Sequence, residues 1–171
     1  MPSKSILLLA YYHPRYIVPL RQLGERLAKL SFVVTPLFAD EHYKSEVIEH
    51  LRQPFDLVIY FGHGEPGVLS GYRGICQEEL PRNKSLSLPQ TLIILSCSSL
   101  DQTPDGSIAD NFISRGLAEN VIGYQGKIKY KANKKFLELI GLRLEQDNDL
   151  NILSLQALAE KCGITNLDNV C

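Results

Sequence analysis

Apolar positions along the chain change their period repeatedly, and each change marks an element. Residues 5–11 (Ser-Ile-Leu-Leu-Leu-Ala-Tyr) are a nearly solid apolar run, whereas Ile17, Leu20, Leu23, Leu27 and Leu30 recur at the three-and-four spacing of one helical face. This predicts a strand and then a helix. Residues 31–38 are rich in β-branched and aromatic side chains, and Val47, Ile48 and Leu51 mark a shorter helix that must stop by Pro54. Two runs, 56–61 (Asp-Leu-Val-Ile-Tyr-Phe) and 91–95 (Thr-Leu-Ile-Ile-Leu), lack polar alternation, as do parallel strands buried on both faces. Ile108, Phe112 and Ile113 share one stripe of a helix over 107–115, with Gly116 as a natural C-cap. A fifth strand over 120–124, a helix carrying Phe136, Leu137, Ile140 and Leu144, and a short amphipathic helix over 153–161 complete the pattern.

Repeated strand-helix alternation predicts an α/β fold, with a mostly parallel central sheet, helices on both faces and ligands beyond the carboxyl ends of the strands. Residues 64–90 interrupt the alternation and are too long for bare loop in a small domain. A hairpin over 68–77 and a turn of helix over 78–80 are expected there, walling one side of a cleft.

The 171 residues, 44% hydrophobic and 22% charged, suit one domain covering 1–171. A net charge of −1 supplies no positive field to gather phosphates or anionic lipid, so neither nucleic acid nor a membrane is expected as partner. No apolar stretch approaches the roughly 20 residues that span a bilayer. Tyr11, Tyr12, His13 and Pro14 stand where a signal peptide would need small residues, so a cytoplasmic location is expected. Cys76, Cys97, Cys162 and Cys171 are widely spaced without a C-x-x-C, which argues against a zinc knuckle or a disulfide framework. No metal or organic cofactor is expected.

Gly62-His63-Gly64-Glu65-Pro66-Gly67 matches G-x-G-x-x-G letter for letter, but it follows the third strand rather than the first, and Pro66 opens no helix. Its chemical content is an imidazole at the mouth of a buried strand, between two glycines that permit close backbone approach. The next buried run ends in Ser96-Cys97-Ser98-Ser99, which brings a thiol to the same edge. If the two strands are neighbours about 4.8 Å apart, a Cys/His dyad is available. In such a dyad His63 takes the thiol proton and later protonates the leaving amine, while the N–H groups of Gly64 and Cys97 face the oxyanion. Against this stands the frequent use of a buried Cys as packing and of a loop His as a bystander.

An apolar strand ending in His-Gly, followed about thirty residues later by one ending in Cys, resembles the caspase-like (clan CD) cysteine peptidases. Cys97-Ser98-Ser99 and the segment 108–123 are most similar to CHAT and separase-type domains, and the likeness spans roughly residues 5 to 160. The resemblance implies a caspase-like three-layer sandwich, His63 as general base and acid, Cys97 as nucleophile and Gly64 as oxyanion donor. It also implies a protein or peptide substrate, a regulated cleavage, signalling or defence role, and an activating partner in trans. The chain departs from the pattern at Ser96, where many CHAT domains carry Ala, at Leu100, where separases carry Gly, and at Tyr124-Gln125-Gly126-Lys127, where Leu-Trp is frequent.

The resemblance further implies a pocket for the residue before the cut, in which several clan members place an acid, and makes Asp101, Asp105 and Gln125 candidate substrate-binding residues; for the two acids, turn and cap chemistry around Thr103-Pro104-Asp105-Gly106-Ser107 is the competing reading. His13 reads as part of a strand-to-helix turn, His42 and His50 as surface residues, and Lys127, Lys129, Lys131, Lys134 and Lys135 as a solvated face. Two other functions fit the same pattern: a caspase-fold interaction module without turnover, and a flavodoxin-like binder of a phosphorylated small molecule.

Overall fold

Six strands whose side chains divide between two apolar cores form the central sheet of the protein, seen here in a computed structural model that describes residues 3–83, 90–147 and 151–171. The chain runs β1 (Ser5–Ala10), α1 (Pro14–Lys29), β2 (Val33–Phe38), α2 (Lys44–Leu51) and β3 (Leu57–Phe61). Three two-residue strands follow, β4 (Gly64–Glu65), β5 (Val68–Leu69) and β6 (Ile75–Cys76), with a 3₁₀ turn over Gln77–Glu79. Then come β7 (Thr91–Leu95), α3 (Ile108–Ser114), β8 (Asn120–Tyr124), α4 (Tyr130–Asp147), α5 (Ile152–Lys161) and β9 (Leu167–Val170).

The sheet order is β2-β1-β3-β7-β8-β9, parallel throughout except for β9, which runs antiparallel to β8. Alternation along each strand sends Ile6, Leu8, Ile59, Phe61, Ile93 and Leu95 to the core under α1, α4 and α5. The intervening Leu7, Leu9, Val58, Tyr60, Leu92 and Ile94 face the core under α2 and α3. Helices therefore cover both faces, as the unbroken apolar runs require. Helix α1 reaches the sheet closely because Gly24 has no side chain: a Cβ there would lie 3.0 Å from Leu8 Cδ1.

Pro19 lies inside α1 and offers no N–H to the carbonyl of Arg15. The Tyr130 hydroxyl at the start of α4 takes that place, donating to Arg15 O at 2.6 Å. The helix defect thus becomes a tie between α1 and α4 at the carboxyl edge of the sheet.

Agreement with the sequence pattern is close for the five parallel strands. The stretch after β3 folds as the expected hairpin, extended by a third strand, with its helical turn at 77–79 rather than 78–80. Strand β9 was not expected, because Leu167-Asp168-Asn169-Val170 is a short, half-exposed edge segment whose apolar content is too low to signal a strand.

Candidate functional site

Register carries the site. Strands β3 and β7 pair directly, Leu57 with Thr91 through Phe61 with Leu95, and Gly62 N–H continues the ladder to Leu95 O. His63 and Cys97 each follow their strand by two residues, so the β3–β7 pairing brings the two segments that carry them out at the same edge of the sheet. Both extend the alternation of Ile59 and Phe61, and of Ile93 and Leu95, so both belong to the α1/α4 face of the sheet.

The loops that carry them touch. A Cβ on Gly64 would sit 2.7 Å from the carbonyl oxygen of Cys97 and 2.6 Å from Ser96 Oγ, distances that real Cβ atoms essentially never show. Glycine at this position is what lets the two loops approach. Ser70 N–H reaches His63 O, so the Gly64–Leu69 pair is of the non-hydrogen-bonded kind, which leaves the Gly64 N–H outside the β4–β5 ladder. The backbone N–H of Cys97 likewise meets no acceptor among the described residues.

Tyr60, buried in β3, holds the His63 loop from beneath: its hydroxyl donates to His63 O at 2.7 Å and accepts from Gly71 N–H at 3.0 Å. Tyr72 does the same for the neighbouring strand ends, accepting from Ala10 N–H at 3.1 Å and donating to Leu37 O. Burial pushes both phenols well above their ordinary range, so they remain neutral donors at any physiological pH.

The imidazole of His63 is exposed, with Tyr11 edge-on at 4.9 Å between ring centroids. Its Nε2 meets the Tyr16 hydroxyl at 3.1 Å. Tyr16 is itself packed edge-on against Phe61 at 5.0 Å and Tyr130 at 5.7 Å, while the Arg15 guanidinium lies 3.8 Å over the Tyr130 ring. Burial chiefly raises the Tyr16 phenol; Arg15 opposes the rise, and Tyr130 and the Cys97 thiol add to it electrostatically. Tyr16 thus meets the imidazole by a direct hydrogen bond. The Cys97 sulfur is half-buried, accepts the Ile128 N–H at 3.4 Å and donates its proton to Ile128 O at 3.9 Å; no hydrogen bond joins it to His63.

Residues after Cys97 staple the β7 and β8 loops together. Ser98 N–H donates to Gly126 O at 2.8 Å, Ser99 Oγ accepts Tyr124 N–H at 2.9 Å, and Asp101 Oδ1 accepts Gly126 N–H at 2.8 Å. Ser98 adopts φ 60°, a left-handed conformation that turns the chain sharply behind the thiol. Ser98→Val is therefore expected to cost about 1–2 kcal/mol, because a β-branched residue is strained there. Thermal denaturation reads this as a fall of several degrees, and an unchanged melting temperature would contradict it.

Of the candidate substrate-binding residues, Asp101 is committed to the Gly126 backbone. Asp105 is exposed in the Thr103–Gly106 turn that leads to the Ser107 N-cap of α3, a helix on the opposite face from His63 and Cys97. Both acids are thus engaged in turn and loop structure. Gln125 is exposed beyond β8; its backbone pairs with Asn166, and its side chain makes no hydrogen bond among the described residues.

His13 is the N-cap of α1 and accepts Arg15 N–H at 3.2 Å, so that helix terminus already has a ligand of its own. His42 pairs with Glu46, His50 Nδ1 meets Glu46 O, and the five lysines are exposed. No group of three or more His, Cys, Asp or Glu among the described residues could hold a metal ion.

Tyr11, Arg15, Tyr16 and Tyr130 went unmarked in the sequence. Tyr16 falls on the helical face of Leu20, Leu23 and Leu27 and is indistinguishable there from a core residue. For His63 and Cys97 the chain does carry a signal, since each stands two residues past an unbroken apolar run, 57–61 and 91–95.

No protein-family model and no curated protein matches the sequence. Among solved structures, the crystal structure of the Arg-specific cysteine proteinase gingipain R superposes with a TM-score of 0.71 at 11% identity, over 92% of this chain and 42% of that one. The fold is caspase-like, of the gingipain kind. A complex of the gingipain pro- and mature domains from Porphyromonas gingivalis matches with a TM-score of 0.72 at 10% identity, over 92% of this chain and 43% of that one. A structural-genomics protein from Geobacter sulfurreducens matches with a TM-score of 0.51 at 11% identity, over 98% of this chain and 92% of its own. The chain spans less than half the length of the gingipain chains, and at these identities the likeness is one of fold. No helix among the described residues is long and apolar enough to cross a membrane.

Proposed function

We propose that this chain is a cysteine endopeptidase, with Cys97 as nucleophile and His63 as proton shuttle. The observation that carries the reading is the Gly64 approach, which packs the His63 loop against the Cys97 carbonyl at the shared edge of β3 and β7. The imidazole takes the thiol proton as sulfur attacks the peptide carbonyl. The N–H groups of Gly64 and Cys97, which meet no acceptor among the described residues, face the developing oxyanion. Collapse of the tetrahedral intermediate breaks the C–N bond, and His63 returns the proton to the departing amine. Water, deprotonated by the same imidazole, then hydrolyses the Cys97 thioester.

A protein or peptide is the substrate, and Gln125, exposed beyond β8, is a candidate to contact it. The Cys97-Ser98-Ser99 sequence supports a CHAT- or separase-like place within the caspase-like group. The complex of gingipain pro- and mature domains supports a protein partner for this fold, which we extend to an activating partner in trans. Four free thiols suit a reducing cytoplasm.

A second reading, a caspase-fold interaction module without turnover, draws on the absence of a direct hydrogen bond between His63 and Cys97. Incubation with a peptide library and mass-spectrometric detection of new termini separates the two. Cleavage by the wild type that is lost in Cys97→Ala and in His63→Ala supports the peptidase; cleavage that survives either substitution, or none at all, overturns it.

A further inference from the structure

Imidazole has two nitrogens, and the fold occupies only one of them. His63 Nε2 lies 3.1 Å from the Tyr16 hydroxyl, while Nδ1 has no hydrogen-bond partner among the described residues. Tyr16 is 4% exposed, and its ring is clamped edge-on by Phe61, Tyr130 and Tyr11, at 5.0, 5.7 and 5.8 Å. That clamp rests on the Tyr130 hydroxyl filling the carbonyl of Arg15 opened by Pro19. The phenol oxygen is accordingly held in place by the core, independently of the exposed histidine.

We propose that Tyr16 is a positioning residue for His63: its hydroxyl oxygen accepts the Nε2 proton, which fixes the imidazole as the Nε2–H tautomer and leaves Nδ1 as the basic nitrogen. The heavy-atom distance fits either tautomer, and the requirement that His63 act as the base selects between them. A phenol donating to Nε2 would place the remaining proton on Nδ1 and leave the ring no lone pair for a thiol. The reverse direction frees Nδ1 and retains its bond when the ring becomes imidazolium, where a bond to a charged donor is stronger. Burial keeps the phenol protonated, so Tyr16 accepts a hydrogen bond without exchanging a proton with the ring.

This assignment rests on His63 acting as the base. When Cys97 reacts, the S–H bond breaks, its proton goes to Nδ1 and the sulfur pair forms the C–S bond. Nδ1 then gives that proton to the leaving amine. Nε2–H stays on Tyr16 throughout.

Nitrogen-15 histidine NMR of the full chain, with Tyr16→Phe beside the wild type, tests the proposal without needing a substrate. Phenylalanine preserves the clamped ring and removes only the oxygen. The wild-type His63 signal should report the Nε2–H tautomer above its titration, and Tyr16→Phe should convert it to a mixture. With a cleavable peptide in hand, the same variant should lose roughly tenfold in kcat with KM within about twofold, the split expected when an interaction that orients the base is removed. An Nδ1–H tautomer in the wild type, or a tautomer indifferent to Tyr16→Phe, overturns the proposal even if the variant folds poorly or turns over well. A Tyr16-dependent tautomer in a protein without turnover would instead retain this contact and remove the peptidase reading.

Discussion

Cys97→Ala is expected to abolish peptide turnover, and His63→Ala to lower kcat by roughly 10⁴- to 10⁶-fold, the scale on which a covalent nucleophile or its base acts. Both variants should keep their melting temperatures to within a few degrees. His63 is exposed, and among the described residues its side chain hydrogen-bonds Tyr16 alone; Cys97 is half-buried, and its thiol accepts the Ile128 N–H and donates to Ile128 O. The double variant should be no worse than the single ones, because two groups that act as a unit do not lose activity additively. Steady-state kinetics with a peptide found by library screening, together with thermal denaturation, check all three statements. Residual turnover in Cys97→Ala near the wild-type level would remove the thiol from the chemistry.

Gly64→Ala should have the second-largest effect. The added methyl would lie 2.6 Å from Ser96 Oγ and 2.7 Å from the Cys97 carbonyl. The serine hydroxyl could rotate away, but the carbonyl is backbone, tied through the following Ser98 N–H to Gly126 O. The two loops must therefore part by a substantial fraction of an ångström. A misplacement of that order costs about 10²-fold in kcat when it separates reacting groups, and overpacking costs about 1–3 kcal/mol of stability. Both losses should appear together in Gly64→Ala. A fall in melting temperature with kcat untouched would mean that the contact between the loops serves the fold alone.

Much of this architecture is legible in the chain because its signals are local and redundant. The runs 56–61 and 91–95 announce buried parallel strands, and their ends name His63 and Cys97 as candidates; the β3–β7 pairing then brings those two strand ends side by side. The phenol that meets His63 was not legible, since Tyr16 lies 47 positions away and looks like one more apolar residue of α1. Asp101 shows the converse: an acid near a nucleophile suggests a specificity pocket, yet its carboxylate accepts the Gly126 N–H and joins the β7 and β8 loops. Chain order could not reveal that assignment, because the competing partner is a backbone group brought in by the fold. Strand β9 escaped for an energetic reason, as an edge strand needs little apolar surface once β8 offers it a ladder.

The central claim is that His63 and Cys97 form one reactive pair, and the four free thiols of the chain provide an internal scale for testing it. The measurement is the rate at which iodoacetamide alkylates each cysteine at neutral pH, resolved by peptide mass spectrometry, in the wild type and in His63→Ala. The account predicts that Cys97 reacts faster than the exposed Cys171 and slows roughly tenfold without the imidazole, while Cys76, Cys162 and Cys171 keep their rates. A Cys97 that reacts no faster than Cys171, and at the same rate with or without His63, would contradict it.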